Sequence, residues 1–270
     1  MAVLALESAS SGLSALNTKL DVIANNLANV NTVGFKASRA NFQDLLYVER
    51  AQPGVENANG DQRPTGLYVG LGVKVSGTQL SFEQGAPVNS ERDLDLMIDG
   101  RGFFQVQIED SLGPDGVAYT RAGNFELNAD GEIVLANDQG RRLVPNIQIP
   151  ANALRPIRIE PDGRIFVNVP GQTEPQEFGP LNIAVFFNPA GLKQIGENLF
   201  VETVASGAPI EGEPGTENFG RIQQNRLESS NVDPTRELVD LIRTQRAFEM
   251  NSQTIRAADD SLRTIAQLRR

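Results

Sequence analysis

Apolar residues at the amino end recur at Leu6, Ala9, Leu13, Leu16, Leu20, Ile23, Leu27 and Val30, in steps that alternate three and four without a break. That is the stripe of a helix packed along one side against another helix. Small residues crowd its first turns, among them Ala5, Ser8, Ser11, Gly12 and Ala15, and let a second backbone approach closely at some loss of helix propensity. Asn31, Thr32 and Gly34 are expected to end the helix, Gly34 being suited to a left-handed exit. The carboxyl end mirrors the design. Leu241, Phe248, Ile255 and Leu262 recur every seventh residue, joined by Leu238, Ala258 and Ile265. Asp233 is placed as N-cap, Pro234 fits the first helical position, and Glu237 completes a capping box one residue later than ideal. The opposite face mixes Arg236, Arg243, Arg246, Arg256 and Arg263 with Asp240, Glu249, Asp259 and Asp260, as a solvated helix face does.

Between the ends the period changes from 3.5 to two. Leu67, Val69, Leu71, Val73 and Val75 alternate with Tyr68, Gly70, Gly72, Lys74 and Ser76, which predicts one strand. Further strands are expected at 94–98, 103–108, 118–121, 132–135, 157–159, 164–169, 181–187 and 199–203. Asp115-Gly116, Asp130-Gly131 and Asp162-Gly163 supply tight turns. Short strands at this spacing suggest a sandwich or small barrel. Residues 49–66 contain Pro53, Gly54, Gly60, Pro64 and Gly66 with few apolar anchors, the composition of an extended arm. The fold class is therefore α+β: a discontinuous coiled-coil helical domain from the two chain ends, plus a mainly antiparallel β domain with an extended arm. The expected division is 1–36 with 226–270 for the helical domain, 37–75 for the arm and its strand, and 76–225 for the β domain.

A narrow stripe holds a lone helix poorly, because backbone ordering offsets most of what the stripe gains on burial. Two arrangements satisfy it. The ends can close as a hairpin within one chain, or they can order mainly by gripping other copies of the molecule, which is the expectation favoured here. On that reading Leu13, Leu16, Leu20, Ile23, Leu27, Leu238, Leu241, Phe248, Ile255 and Leu262 form the self-assembly interface. Asn25, Asn26, Asn29 and Asn31 crowd the end of the first helix. They either cap it locally or hydrogen-bond across subunits to fix register. The segment from Leu67 to Val75 is either an edge strand or part of an arm, with Tyr47, Pro53, Gly54, Leu67, Val69, Leu71 and Val73, that interlocks with neighbouring subunits.

Composition narrows the chemistry. The 270 residues carry a formal net charge of -10, against the basic footprint of nucleic-acid binding. Residues 1–36 are neutral, and residues 232–270 hold seven Arg against six carboxylates, which leaves -11 on residues 37–231. There is no Cys, His or Trp, which removes thiol and imidazole mechanisms and the common zinc and iron sites. Asp93, Asp95 and Asp99 lack calcium-loop spacing, and Asp93 and Asp95, alternating with Leu94 and Leu96, are expected on the wet face of a strand. Arg121 is expected to be a structural residue of the β domain, and Gly100-Arg101-Gly102 precedes a strand and so is no phosphate loop. An enzyme, a metal and a cofactor are not expected. Neither is membrane insertion, since the longest apolar runs, such as Ile183 to Phe187, are far too short. Met1 to Glu7 lacks the pattern of an ordinary cleavable secretory signal.

Several segments, in order along the chain, closely resemble the bacterial flagellar rod and hook axial proteins. The first is Ala24-Asn25-Asn26-Leu27-Ala28-Asn29-Val30-Asn31-Thr32-Val33-Gly34-Phe35-Lys36. The body adds Ile98-Asp99-Gly100-Arg101-Gly102-Phe103-Phe104-Gln105-Val106 and Tyr119-Thr120-Arg121-Ala122-Gly123-Asn124-Phe125. The end adds Ser230-Asn231-Val232-Asp233, Glu237 to Ile242, and Gln245-Arg246-Ala247-Phe248-Glu249. Family members often carry Tyr where Phe248 stands, a change that keeps the ring and loses a hydroxyl. The length, the stretch from Phe42 through Gln52-Pro53-Gly54 to Val73, and Gly196-Glu197-Asn198-Leu199-Phe200 look most like the distal-rod members, with proximal-rod members as the alternative. The resemblance implies a structural subunit of a helical tubular drive shaft around a central channel, with terminal helices inside and the β domain outside. It implies export through the flagellar type III apparatus without a cleavable signal, and assembly in the periplasm. The implied partners are other copies, proximal rod proteins, the hook or hook–rod junction, and the surrounding P and L rings.

Overall fold

The computed structural model describes residues 2–55, 63–113, 116–171 and 174–268. The chain divides into two compact units. A helical unit comprises residues 1–28, 38–79 and 233–270, and a sheet unit comprises residues 29–37 and 80–232. The architecture is α+β, two long helices and many short strands.

The helical unit is built on α1 (Ala2–Ala28) and α2 (Pro234–Leu268), which pack against each other. Helix α1 starts four residues before Leu6 and ends before Asn29, so Asn31, Thr32 and Gly34 belong to the turns that follow it. Gly34 has φ +70°, the left-handed conformation expected of it. Asp233 caps α2 as predicted: its Oδ1 accepts from the amides of Thr235 and Arg236. The capping box does not form. The Glu237 side chain faces α1 and accepts a hydrogen bond from Asn26, because one residue of extra spacing carries it round the helix.

Four strands complete this unit: β1 (Ser38–Asp44), β2 (Tyr47–Ala51), β3 (Leu67–Gly70) and β4 (Val73–Leu80). β1 pairs with β4, and β2 with β3 as an antiparallel hairpin. The predicted single strand from Leu67 to Val75 is thus two strands with a break at Leu71-Gly72. Gly72 (φ +120°) lies on Ser8 and Ser11 of α1, and a methyl group there would collide with Ser11 Oγ. Val73 N donates to the same hydroxyl at 3.2 Å. Backbone contact at a small-residue helix face redirects the chain where alternation alone continues it.

The sheet unit is organised by an open seven-stranded sheet. Its hydrogen-bonded order is Lys193–Gly196, Leu199–Val201, Val117–Thr120, Phe103–Gln107, Ile183–Val185 and Ile210–Gly212, with Leu143–Val144 also paired to Phe103–Gln107. Smaller two- and three-stranded ladders surround it, a more fragmented arrangement than the sandwich or barrel expected. Successive residues of a strand point to opposite faces. Phe104 and Val106 therefore enter the main core with Ile98, Ile133, Ile165 and Ile183. Phe103 enters a second cluster with Tyr119, Phe186 and Phe200, where the rings meet edge to face. Gly131 (φ +79°) and Gly163 (φ +86°) occupy the predicted turns, and Asp115 lies outside the described residues.

Asp95 overturns its assignment to a wet face. It is buried, precedes the strand Leu96–Asp99, and accepts a hydrogen bond from Ser90 Oγ. It holds a loop rather than alternating along a strand.

Candidate functional site

On α2, low exposure follows Glu237, Leu241, Thr244, Phe248, Asn251, Ile255, Ala258 and Leu262, in steps alternating four and three. One line of this seam is the predicted seventh-residue series. The other runs through Thr244 and Asn251, polar residues that hydrophobic periodicity passes over. Leu238 does not join the seam. It is exposed and lies with Val239, Ile242 and Met250 on the other side of α2. On α1, Ile23 is buried, and Leu13, Leu16, Leu20 and Leu27 are half-buried.

Two contacts fix the antiparallel register. Asn26 meets Glu237, and Gly12 sits where a methyl group would come within 3.1 Å of Asn251 Nδ2. The two contacts are two heptads apart on each helix. Asn26 is buried with its amide fully engaged: Nδ2 donates to Ser38 O (2.8 Å) and Glu237 Oε1 (3.0 Å), and Oδ1 accepts from Ser38 N (3.0 Å). It therefore ties α1 to β1 and α2 within one chain. Asn29 accepts from Thr32 Oγ1 in the turn after α1, and Asn25 is exposed. Burial raises the Glu237 carboxyl above its ordinary range, helped by Asp240 and Asp233 and opposed by the Asn26 bond and Lys19.

The β2–β3 hairpin carries most of the predicted arm. Leu46, Tyr47, Leu67 and Tyr68 are exposed, whereas Val69, Leu71 and Val73 are half-buried. Gly54 (φ +79°) donates to Arg63 O, and Arg63 N donates to Val55 O, so Pro53 and Gly54 lie where the two sides of the arm are still bonded. Residues 56–62 of the predicted arm lie outside the described residues.

A second cluster lies inside the sheet unit. Glu228 is fully buried between two cations. Its Oε1 accepts from Lys36 Nζ (2.5 Å) and Gly85 N (2.8 Å), and Oε2 faces Arg121 Nη1 at 3.5 Å. Lys36 also donates to Glu83 O (2.7 Å). Arg121 reaches Ile98 O (3.3 Å) and Gly100 O (2.8 Å), with its guanidinium carbon 5.2 Å from the centre of the Phe103 ring. Burial lowers the affinity of both Lys36 and Arg121 for their protons, and the Glu228 charge opposes it. Backbone bonds staple the same segments. Gly34 N donates to Glu228 O, Asn231 N to Phe35 O, and Ser81 N to Ala37 O. Asn231 Oδ1 also accepts from Ala37 N, and Asn231 Nδ2 donates to Ser81 O. The node joins residues 33–37, 81–86 and 228–231, beside the points where the chain leaves the sheet unit. Sequence reading singled out Arg121 alone as a structural residue. Lys36 appeared only as a motif member, and nothing in Arg226-Leu227-Glu228 distinguishes a buried carboxylate from a surface one.

Three family models match in order. Residues 6–36 match the flagella basal body rod protein, 97–167 the flagellar hook protein FlgE/F/G D1 domain, and 223–268 the flagellar basal body rod FlgEFG protein C-terminal. Each segment supplies one member of the buried charge cluster. The flagellar basal-body rod protein FlgG of Caulobacter vibrioides is 46% identical over 98% of this chain and 99% of that protein. The chain belongs to the flagellar basal-body rod protein family. In Bacillus subtilis, two relatives cover 98% and 97% of this chain and equal shares of their own length. They are the rod protein FlgG at 39% identity and the flagellar hook-basal body complex protein FlhP at 29%. Among the described residues of this rod-family chain, no group of three carboxylates is arranged to hold a metal ion, and no helix is long and apolar enough to cross a membrane.

Proposed function

We propose that this chain is a structural subunit of the flagellar rod, of the distal-rod type, which assembles into a helical tube that carries torque to the hook around a central channel. The near end-to-end similarity to FlgG proteins carries this reading. Within one organism the similarity to FlgG exceeds that to FlhP, which favours the distal-rod form over other axial members.

Torque transmission requires interlocked surfaces that resist shear and no chemistry, which suits a chain without Cys or His. On this reading the paired terminal helices form the inner core as a coiled coil, residues 37–75 interlock with neighbours, and the sheet unit faces outward. The seam residues Leu13, Leu16, Leu20, Ile23, Leu27, Leu241, Phe248, Ile255 and Leu262 consolidate the core. Leu238, Val239, Ile242 and Met250, exposed on α2, offer an apolar face to other copies. Asn26 contributes by holding α1, α2 and β1 in register, with Asn25 and Asn29 near the same helix end. The chain leaves the cytoplasm through the type III export apparatus, assembles in the periplasm, and meets proximal rod proteins, the hook or its junction, and the P and L rings. Electron microscopy of the purified full-length protein at high concentration tests the reading. Tubes with an open centre are expected; a protein that stays monomeric however concentrated refutes it.

A further inference from the structure

We propose that residues 221–231 form a strap that opens as one unit while the rest of the sheet unit stays folded, with Glu228 as its latch.

The strap takes no part in the seven-stranded sheet. Its two strands, Arg221–Gln224 and Arg226–Glu228, pair instead with the short segments Leu96–Asp99 and Pro87–Asn89. Asn225, with φ +58°, turns the chain between them. Apolar anchoring is sparse. Ile222 is the one strap residue in the main core, and Leu227 is half-buried.

Polar contacts supply the remaining attachment. Gln224 Nε2 donates to Asp93 O (2.8 Å) and Ile157 O (2.6 Å), and Oε1 accepts from Ile159 N (3.1 Å). The amides of Ile222, Arg226 and Ser229 donate to Pro161 O, Asp95 O and Ala86 O. Ser90 N and Gly34 N donate to the strap carbonyls of Asn225 and Glu228. On opening, each of these groups exchanges a protein partner for water, which costs little beside exposure of a core. Leu96–Asp99 keeps its place meanwhile, because Leu96 N still bonds Gly123 O and Arg121 still bonds Ile98 O and Gly100 O. A segment held in this way opens below the free energy of global unfolding.

Glu228 makes the opening all or none. Its carboxylate takes Lys36, Arg121 and Gly85 N, and its carbonyl takes Gly34 N. Lifting it out leaves two cations together without an anion until water reaches them. The fit is close, since a methyl group on Gly85 would collide with Ser229 O. Residues 34–37 precede an exit from the sheet unit and are bonded to Glu228 and Asn231. Helix α2 begins just beyond the strap, at Pro234. Opening therefore loosens the exit at residue 37 and the approach to α2 together, while the seven-stranded sheet persists.

Native-state hydrogen exchange of the dilute full-length protein reads the opening, under conditions where reclosing outpaces exchange. The amides of Gly34, Ser90, Ile159 and Ser229 should exchange together, about a hundredfold faster than those of residues 103–107 and 117–120. Phe200→Leu lies in the aromatic cluster, which contains no strap residue. It should speed the central strands and leave the strap set unchanged. Glu228→Gln should speed the strap set about tenfold or more, and Glu228→Asp supplies that reading should the Gln variant not fold. The chain has no Cys, and Asn89 and Arg226 face each other at an exposed cross-strand position. A disulfide between Asn89→Cys and Arg226→Cys therefore pins the strap. Under oxidation the strap set should slow to the rate of the central strands, and reductant should restore the difference. Strap amides that exchange no faster than the central strands, or that Phe200→Leu accelerates equally, would overturn the proposal. So would a disulfide or a Glu228 substitution that leaves strap exchange unchanged.

Discussion

Two buried cations share the one carboxylate of Glu228, and that count decides which substitutions the sheet unit tolerates. Lys36→Met leaves Arg121 and Glu228 as a neutral pair. Glu228→Gln leaves two cations with only carbonyl partners. Removing the shared anion from a buried cluster costs about 3–5 kcal/mol, whereas losing the surplus cation should cost far less. Urea titration of the three proteins checks the order, and equal losses would contradict it. The Lys36 ammonium loses its proton more readily when folded, so its cost is present at neutral pH and relieved as pH rises towards the unfolded value of 10.5. Glu237 gives a second residue-level test. Its carboxyl is raised above 4.5, so the folded state gains on the unfolded as pH falls through the raised value. Glu237→Gln keeps an acceptor for Asn26 and removes the charge. It should raise the melting temperature at pH 7 by about 1–2 °C, after screening by solvent, and leave it unchanged near pH 4. Such residues are hard to read from sequence because burial of a charge depends on segments far apart in the chain. Glu228 looks like any strand-edge acid until three distant segments close over it.

Helices and turns announce themselves locally, and the elements follow that rule. Both helices, the Asp233 cap and the left-handed Gly34 were legible because each leaves its signal in neighbouring residues, even where distant contacts, such as that of Gly34 with Ala122, help to hold it. The failures arise where one element leans on another. Periodicity passed over Thr244 and Asn251 of the α2 seam because they are polar, and Asn251 fits there only because Gly12 lies opposite. It ran β3 and β4 together because alternation does not register that Gly72 rests on α1. Short ladders such as Pro87–Asn89 and Arg226–Glu228 escaped for a similar reason, being held by pairing with each other rather than by apolar content. The Gly72 contact can be tested directly. Gly72→Ala adds a methyl group that meets Ser11 and demands φ +120° of a residue with a side chain. Backbone strain of this kind costs about 1–3 kcal/mol, and the helical unit should lose at least that much. Far-ultraviolet circular dichroism during thermal unfolding reads it, and Gly77→Ala, which shares a positive φ (+159°) but where a methyl group would meet nothing within 4 Å, is the control for the contact. Equal effects at the two glycines would remove the argument for close approach.

At the scale of the whole molecule, the division of charge governs assembly. The sheet unit carries the entire net charge of -10, and the helical unit is neutral. Packing many copies into one tube brings acidic sheet units together, so polymer growth works against their mutual repulsion. Apolar contacts through helices and arms drive association and are not weakened by salt. Repulsion is screened, with a Debye length falling from about 30 Å at 0.01 M to about 10 Å at 0.1 M. The two effects have opposite signs in an assembly experiment. A polymer held by cross-subunit ion pairs loosens as salt is added, whereas this one should tighten. The concentration at which polymer first scatters light should fall several-fold between 0.02 and 0.2 M sodium chloride. Converting the exposed sheet-unit acids Glu109, Asp138 and Glu217 to their amides should reproduce part of that fall at low salt. A threshold concentration that rises with salt would mean that ion pairs between copies dominate, and the neutral helical unit would no longer account for growth.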